Sequence, residues 1–225
     1  MANQLDSSAF PGSTDFYIAE FEIILTKIVC CYKMMIDNGD IVPNKEVEIR
    51  DVLYNNYLNN NEVRGQVGLN CNIDCEPAEY RNDKCSGFID LKIFSGNSLT
   101  DTSAYYIIEC KRLDNQNLNG TTGLNAEYIK NGIMRFVSGQ YSTNKYLNGM
   151  FGFVVEQMDI PANITNINKL LRKNFSDTNT ETVLTSHNFV KDFKYQYYSI
   201  HKDIKNRKIK LYHLMFDFSV NIEKS

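Results

Sequence analysis

The order of elements along this chain predicts an α/β fold: a mixed central β-sheet flanked by helices, with an extra helix at the N-terminus. Three observations carry that expectation. Short apolar runs rich in β-branched and aromatic residues recur at 87–94, 104–111, 150–155 and 209–218. Segments with apolar residues at helical spacing stand before and between them, at 16–35, 44–58, 126–137 and 164–173. The first two strands follow one another directly, as in a meander, whereas the later ones alternate with helices, as crossovers require.

The elements are justified in turn. Residues 1–13 are small, polar and carry a proline, and read as a flexible arm ahead of one domain spanning 14–225, with its core at about 44–218. Phe21, Ile23, Ile24, Leu25, Ile28 and Val29 predict a buried helix that packs on the domain, on a partner protein or on a second copy. Asp15, Glu20, Glu22, Lys27 and Lys33 interrupt it too often for a membrane span. In 44–58, Ile49, Val52, Leu53, Tyr57 and Leu58 keep helical spacing. In 126–137 the buried stripe is Ile129, Ile133, Phe136 and Val137. The nearly continuous apolar run at 150–155 reads as a strand buried on both faces. A turn at 161–163 precedes the helix 164–173, and 209–218 is the last strand. The chain has 225 residues, 43% of them hydrophobic, enough for one substantial core.

Charge appears on the strands where a buried sheet should carry none. Asp90 lies in the first run, and Glu109 and Lys111 close the second. Strand alternation sends Glu109 and Lys111 to one face and Cys110 to the other. An acid, any residue, then lysine occurs at four places, so the triplet alone says little. The second occurrence stands out because it ends the most hydrophobic strand, one hairpin after an isolated strand-borne aspartate. If the two runs pair, Asp90 meets Glu109 and Lys111 at one end of the sheet.

Asp90 followed by Glu109-Cys110-Lys111 resembles the motif of the PD-(D/E)XK nuclease superfamily, although Ile89 stands where many members have proline. The resemblance implies a restriction-endonuclease-like fold and Mg²⁺-dependent endonuclease activity, hydrolysing phosphodiester bonds. It implies that Asp90, Glu109 and the backbone carbonyl of Cys110 hold the metal, with Mn²⁺ as a substitute, and hard oxygen donors suit either ion. Lys111 would then orient the attacking water and offset transition-state charge. Members often carry a glutamate on the preceding helix, which points to Glu48 as a further metal-site and catalytic residue, with Glu46 as its rival. On the helix after the catalytic strand, Tyr128, Arg135, Gln140 and Tyr141 are candidates, the last two reading better as solvated or packed side chains. DNA is favoured over RNA because most members cut DNA, with phage defence as a setting. The alternatives are a nuclease-fold binding module without catalysis, or an interaction subunit of a larger defence or repair complex docking through its N-terminal helix.

A net charge of −3 and a pI near 5.7 exclude an avid, nonspecific nucleic-acid coat. The C-terminal third is locally basic, and Lys202, Lys205, Arg207 and Lys208 are expected to follow a nucleic-acid backbone near Asp90. A solvated loop is the competing reading. With no secretory signal in view, the expectation is a cytoplasmic chain whose six cysteines are free thiols. His187, His201 and His213 are too dispersed for a metal triad.

Overall fold

The computed structural model describes residues 13–81, 84–96, 104–141 and 146–223. Of the expected N-terminal arm, all but Ser13 lies outside these residues. Helix α1, Ser13–Asp37, is followed by α2, Glu46–Leu53, which runs on through a π-helical turn, Tyr54–Leu58. Helix α3, Asn61–Val67, starts at Asn60, whose side chain accepts from the Glu62 and Val63 amides, and stops at Gly68 in the left-handed region. Then come β1 (Ile73–Cys75), β2 (Ala78–Arg81), β3 (Lys84–Phe88), β4 (Leu91–Phe94) and β5 (Tyr105–Leu113). Helices α4 (Leu124–Tyr128) and α5 (Met134–Val137) are joined by a π-helical turn. The rest is β6 (Leu147–Val154), α6 (Ile160–Lys173), β7 (Thr180–Ser186), β8 (Gln196–Lys202) and β9 (Lys208–Asp217).

The protein is α/β. Seven strands form one mixed sheet in the order β1-β4-β5-β6-β9-β8-β7, and β2 and β3 form a separate two-stranded ribbon. Strands β5, β6 and β9 are parallel at the centre, and antiparallel strands extend both sides. Strand β6 is buried along its whole length, as a strand covered on both faces must be. One face of the sheet packs Tyr106, Ile108, Cys110, Phe151 and Phe216 against α1 and α2. The other packs Ile107, Leu113, Met150 and Met215 against α4, α5 and α6.

Three expectations change. The run 87–94 is two strands, because the chain bends at Ile89-Asp90 and changes partner: β3 pairs with β2, while β4 pairs with β5. Helix α6 begins at Ile160, so Pro161 lies inside its first turn, where a missing N–H costs nothing, and Asp159 caps it. The basic stretch before β9 contains a strand, β8, whose buried positions Gln196, Ser199 and His201 are polar. Helix α1 buries Phe21, Leu25, Ile28 and Val29 against the sheet and turns Phe16 and Ile23 outward. No helix among the described residues is long and apolar enough to cross a membrane.

Candidate active site on the open edge of β5

The β4–β5 ladder begins at Leu91 opposite Ile108 and does not extend over the second half of β5. Amides on that side of β5 therefore face no strand, and an unpaired buried N–H is costly. Two carboxylates take the missing strand's place. Asp90 Oδ2 accepts from the Cys110 amide at 2.7 Å, and Glu46 Oε2 accepts from the Arg112 amide at 3.0 Å. The other oxygen of each faces a cation: Asp90 Oδ1 lies 2.9 Å from Arg50 Nη1, and Glu46 Oε1 lies 2.8 Å from Lys111 Nζ. Arg50 is 2% exposed and also binds Asp51 at 2.6 Å and Glu76 at 3.0 Å.

Glu109 is fully buried. Its Oε2 accepts from Tyr141 Oη at 2.5 Å and from Arg135 Nη1 at 3.2 Å. Its Oε1 lies 2.7 Å from Lys111 Nζ and 3.0 Å from Arg135 Nη1, yet neither cation reaches it in hydrogen-bonding alignment. Burial first, then the charge of Asp90, pushes the Glu109 carboxyl up to about 7, against the opposing pull of Lys111 and Arg135. For Lys111 burial works against the charge, but Glu109, Glu46 and Asp90 outweigh it, so the ammonium form is strengthened. Lys111 Nζ also donates to the Cys110 carbonyl at 2.7 Å. Tyr141 Oη lies 2.9 Å from the Phe88 carbonyl as well, tying Glu109 to the end of β3.

No known family model, curated protein or solved structure matches this chain.

The structure thus brings Asp90, Glu109, Cys110 and Lys111 together on one strand edge. Glu48 is not among them. Positions two apart on a helix face about 200° apart, so with Glu46 turned to β5, Glu48 turns to solvent and pairs with Lys45 at 2.6 Å. Arg50 is the residue that sequence reasoning missed. Its signal was available: it lies three positions from Leu53, on the buried face of α2, where a cation needs an acid. Arg135 and Tyr141 also join the cluster, and Tyr141, read as a packed side chain, is both packed and bonded to Glu109.

The basic segment lies elsewhere. Lys202 and Lys208 both pair with Glu181 at 3.0 Å, Arg207 pairs with Asp203 at 2.6 Å, and Lys205 lies in the turn between them. Glu109 is in register with Met150, and Met150 with His213. Lys208 precedes His213 by five residues, about 16 Å along the strand. Because β9 runs parallel to β5, the turn that feeds it sits at the opposite end of the strands from Asp90. The expected reach to Asp90 is not met.

A second buried polar chain crosses the sheet nearby. Tyr128 Oη meets His213 Nδ1 at 2.8 Å, and Ser199 Oγ lies 2.7 Å from both His213 Nε2 and His201 Nε2. His201 Nδ1 lies 3.1 Å from both the Thr178 carbonyl, which only accepts, and the Thr180 hydroxyl, which can donate or accept. A proton on Nδ1 satisfies the carbonyl and lets the chain run in one direction, from Tyr128 through His213 and Ser199 to His201. Both imidazoles are neutral. Burial pushes His201 down to about 4 and His213 well below its ordinary value.

Among the described residues, no three His, Cys, Asp or Glu side chains converge as a ready-made cation cage. The oxygen donors on the open edge are two carboxylates, Asp90 and Glu109, and the Cys110 carbonyl directly after Glu109. Mg²⁺ binds through one or two carboxylates and keeps several waters, so this donor set fits it.

Proposed function

We propose that the chain is a metal-dependent nuclease with a restriction-endonuclease-like core, hydrolysing phosphodiester bonds in DNA. The observation that carries the reading is the meeting of Asp90, from the bend before β4, with Glu109 and Lys111 of β5 on a strand edge that no other strand covers. Glu109 Oε1 supports it: the oxygen is buried, and Lys111 and Arg135 approach it without the alignment of a hydrogen bond, so it keeps acceptor capacity toward an ion. Charge supports it too. Asp51, Glu76, Asp90, Glu46 and Glu109 surround Arg50, Lys111 and Arg135, and the surplus of negative charge suits a divalent ion.

Asp90, Glu109 and the Cys110 carbonyl would hold Mg²⁺, or Mn²⁺ in its place. Bound there, the ion would supply Lewis acidity toward a phosphate oxygen and lower the pKa of water. Lys111, steered by Glu46, would hold the attacking water and offset charge gathering on the phosphate. Arg50 and Arg135 would fix the two carboxylates in orientation, as groups behind metal ligands do.

A second reading has its own observation. Each carboxylate already meets cations, Asp90 at Arg50 and Glu109 at Lys111 and Arg135, an arrangement that also suits a nuclease-fold module without catalysis. Calorimetric titration with Mg²⁺ and Mn²⁺ separates the two. The nuclease reading expects a binding isotherm that Glu109→Gln abolishes while the circular dichroism spectrum stays unchanged. Absence of any metal-dependent heat in the wild type, with either ion, would favour the inactive module.

A further inference from the structure

Glu109 presents its two carboxylate oxygens on unequal terms, and Tyr141 makes the difference. A carboxylate oxygen carries two lone pairs. Both of those on Oε2 are engaged, one by Tyr141 Oη at 2.5 Å and one by Arg135 Nη1 at 3.2 Å. Oε1 receives no aligned donor, although Lys111 and Arg135 stand 2.7 and 3.0 Å away.

The chain brings Tyr141 back to Arg135 at the end of α5. Gly139 adopts a φ of +70°, a conformation that a side chain would resist, and the Tyr141 amide returns to the Arg135 carbonyl at 3.1 Å. The ring is 1% exposed and packs edge-to-face on Phe136, with 5.3 Å between centroids, so the hydroxyl is not free to turn to water. Arg135 Nη1 can only donate, so at 2.5 Å it takes a lone pair of Tyr141 Oη and leaves the phenolic proton for an acceptor. Glu109 Oε2 at 2.5 Å and the Phe88 carbonyl at 2.9 Å compete for that proton. An ionised carboxylate at the shorter distance wins over a neutral carbonyl.

Asp90 is held in a comparable way. Its Oδ2 accepts from the Cys110 amide at 2.7 Å and its Oδ1 from Arg50 Nη1 at 2.9 Å. The open edge of β5 thus offers single oxygens in place of chelating carboxylates. Divalent ions respond differently to such a donor set. Mg²⁺ is satisfied by one or two carboxylates and keeps waters in its remaining positions, whereas Ca²⁺ is larger, gathers more oxygens and often takes both oxygens of one carboxylate.

We propose that Tyr141 determines which ion the site selects: by closing Oε2 it confines Glu109 to one ligating oxygen and favours Mg²⁺ or Mn²⁺ over Ca²⁺. The proposal rests on the nuclease reading for the presence of an ion, and adds the side chain that discriminates among ions. Tyr141 acts through Glu109 and is a positioning residue. Its hydroxyl is neutral, so its removal changes the oxygens on offer without changing the charge of the site, which separates its effect from that of Arg135.

The test is calorimetric titration of the full chain with Mg²⁺, Mn²⁺ and Ca²⁺. Wild type is compared with Tyr141→Phe, which keeps the ring against Phe136 and removes only the hydroxyl. Wild type is expected to bind Mg²⁺ and Mn²⁺ more tightly than Ca²⁺. In Tyr141→Phe the loss of a group that orients a ligand should weaken Mg²⁺ binding about 10-fold or more. Ca²⁺ should keep its affinity, because the freed Oε2 becomes a second oxygen for it, so the Ca²⁺-to-Mg²⁺ affinity ratio should rise about 10-fold. A tyrosine with a merely structural role would weaken both ions together, and an unchanged ratio would overturn the proposal. So would a wild type that prefers Ca²⁺, a result that requires no variant to fold. Cleavage of DNA is scored separately in Mg²⁺. A shifted ratio without cleavage would refute the nuclease reading and leave the role of Tyr141 standing, while cleavage with an unchanged ratio would do the reverse. A wild type that binds none of these ions would refute both.

Discussion

Glu109 and His201 are both buried titratable groups, and they respond to acid in opposite senses. Glu109 is pushed up from 4.5 to about 7, so the folded chain binds a proton that the unfolded chain lacks between those values, and stability rises as pH falls through that window. His201 is pushed down from 6.5 to about 4, so the unfolded chain binds the extra proton, and stability falls as pH drops from 6.5 to 4. Over the pH range they share, the two therefore oppose one another. His213 acts in the same direction as His201. Replacing His201 exposes the balance. His201→Gln should be less stable than wild type at pH 7, with the gap narrowing as pH falls toward 4, followed by thermal melts at each pH. A gap independent of pH would mean that His201 is not held neutral. None of this was legible in the sequence, where His201 stands in polar company and His213 twelve residues on inside an apolar run. The β8–β9 hairpin sets them on either side of Ser199, and only the register reveals it.

At the scale of elements, the open edge of β5 decides which helix residues take part in the site. Helix α2 lays its first turn across that edge, and Glu46 there contacts both the Arg112 amide and Lys111. Glu46→Gln should therefore lower cleavage by about 10-fold or more, as loss of a group that orients a catalytic side chain does. Glu48→Gln, on the solvent side, should leave both cleavage and melting temperature unchanged. Equal effects of the two substitutions in a turnover assay would contradict this orientation of α2. Sequence periodicity located α2 and its buried stripe correctly, but not the angle at which it crosses β5, so both glutamates remained candidates. The central strands were legible because burial on both faces leaves a continuous apolar run. Strand β8 was not, because hydrogen bonding allows Gln196, Ser199 and His201 to occupy buried positions without hydrophobicity. The split between β3 and β4 was hidden as well. Nothing local distinguishes one bent run from one long strand when both halves are apolar.

Across the whole molecule, the parallel direction of β5, β6 and β9 sets Asp90 and the β8–β9 turn at opposite ends of the sheet. Glu181 and Asp203 pair with Lys202, Lys208 and Arg207, so three of the turn's four cations already hold acidic partners. Reversing Lys205 and Lys208 to glutamate should thus leave oligonucleotide affinity and its salt dependence unchanged, whereas a side chain that neutralises a phosphate would, once reversed, flatten the slope by nearly one log unit. A flatter slope in filter-binding titrations would return the basic segment to the nucleic-acid surface. The mixed sheet between two helical layers followed from element order alone, but the position of a charged turn relative to a site depends on strand direction, which order does not supply. The central claim is that the Asp90–Glu109–Lys111 cluster hydrolyses phosphodiester bonds with a bound metal, and cleavage of labelled DNA in Mg²⁺ tests it most directly. Single-stranded and duplex substrates are incubated with wild type, with wild type plus chelator, and with Asp90→Ala of matched circular dichroism. The account predicts cleavage by wild type alone, lost with chelator and lost in Asp90→Ala, and cleavage that persists undiminished in Asp90→Ala would contradict it.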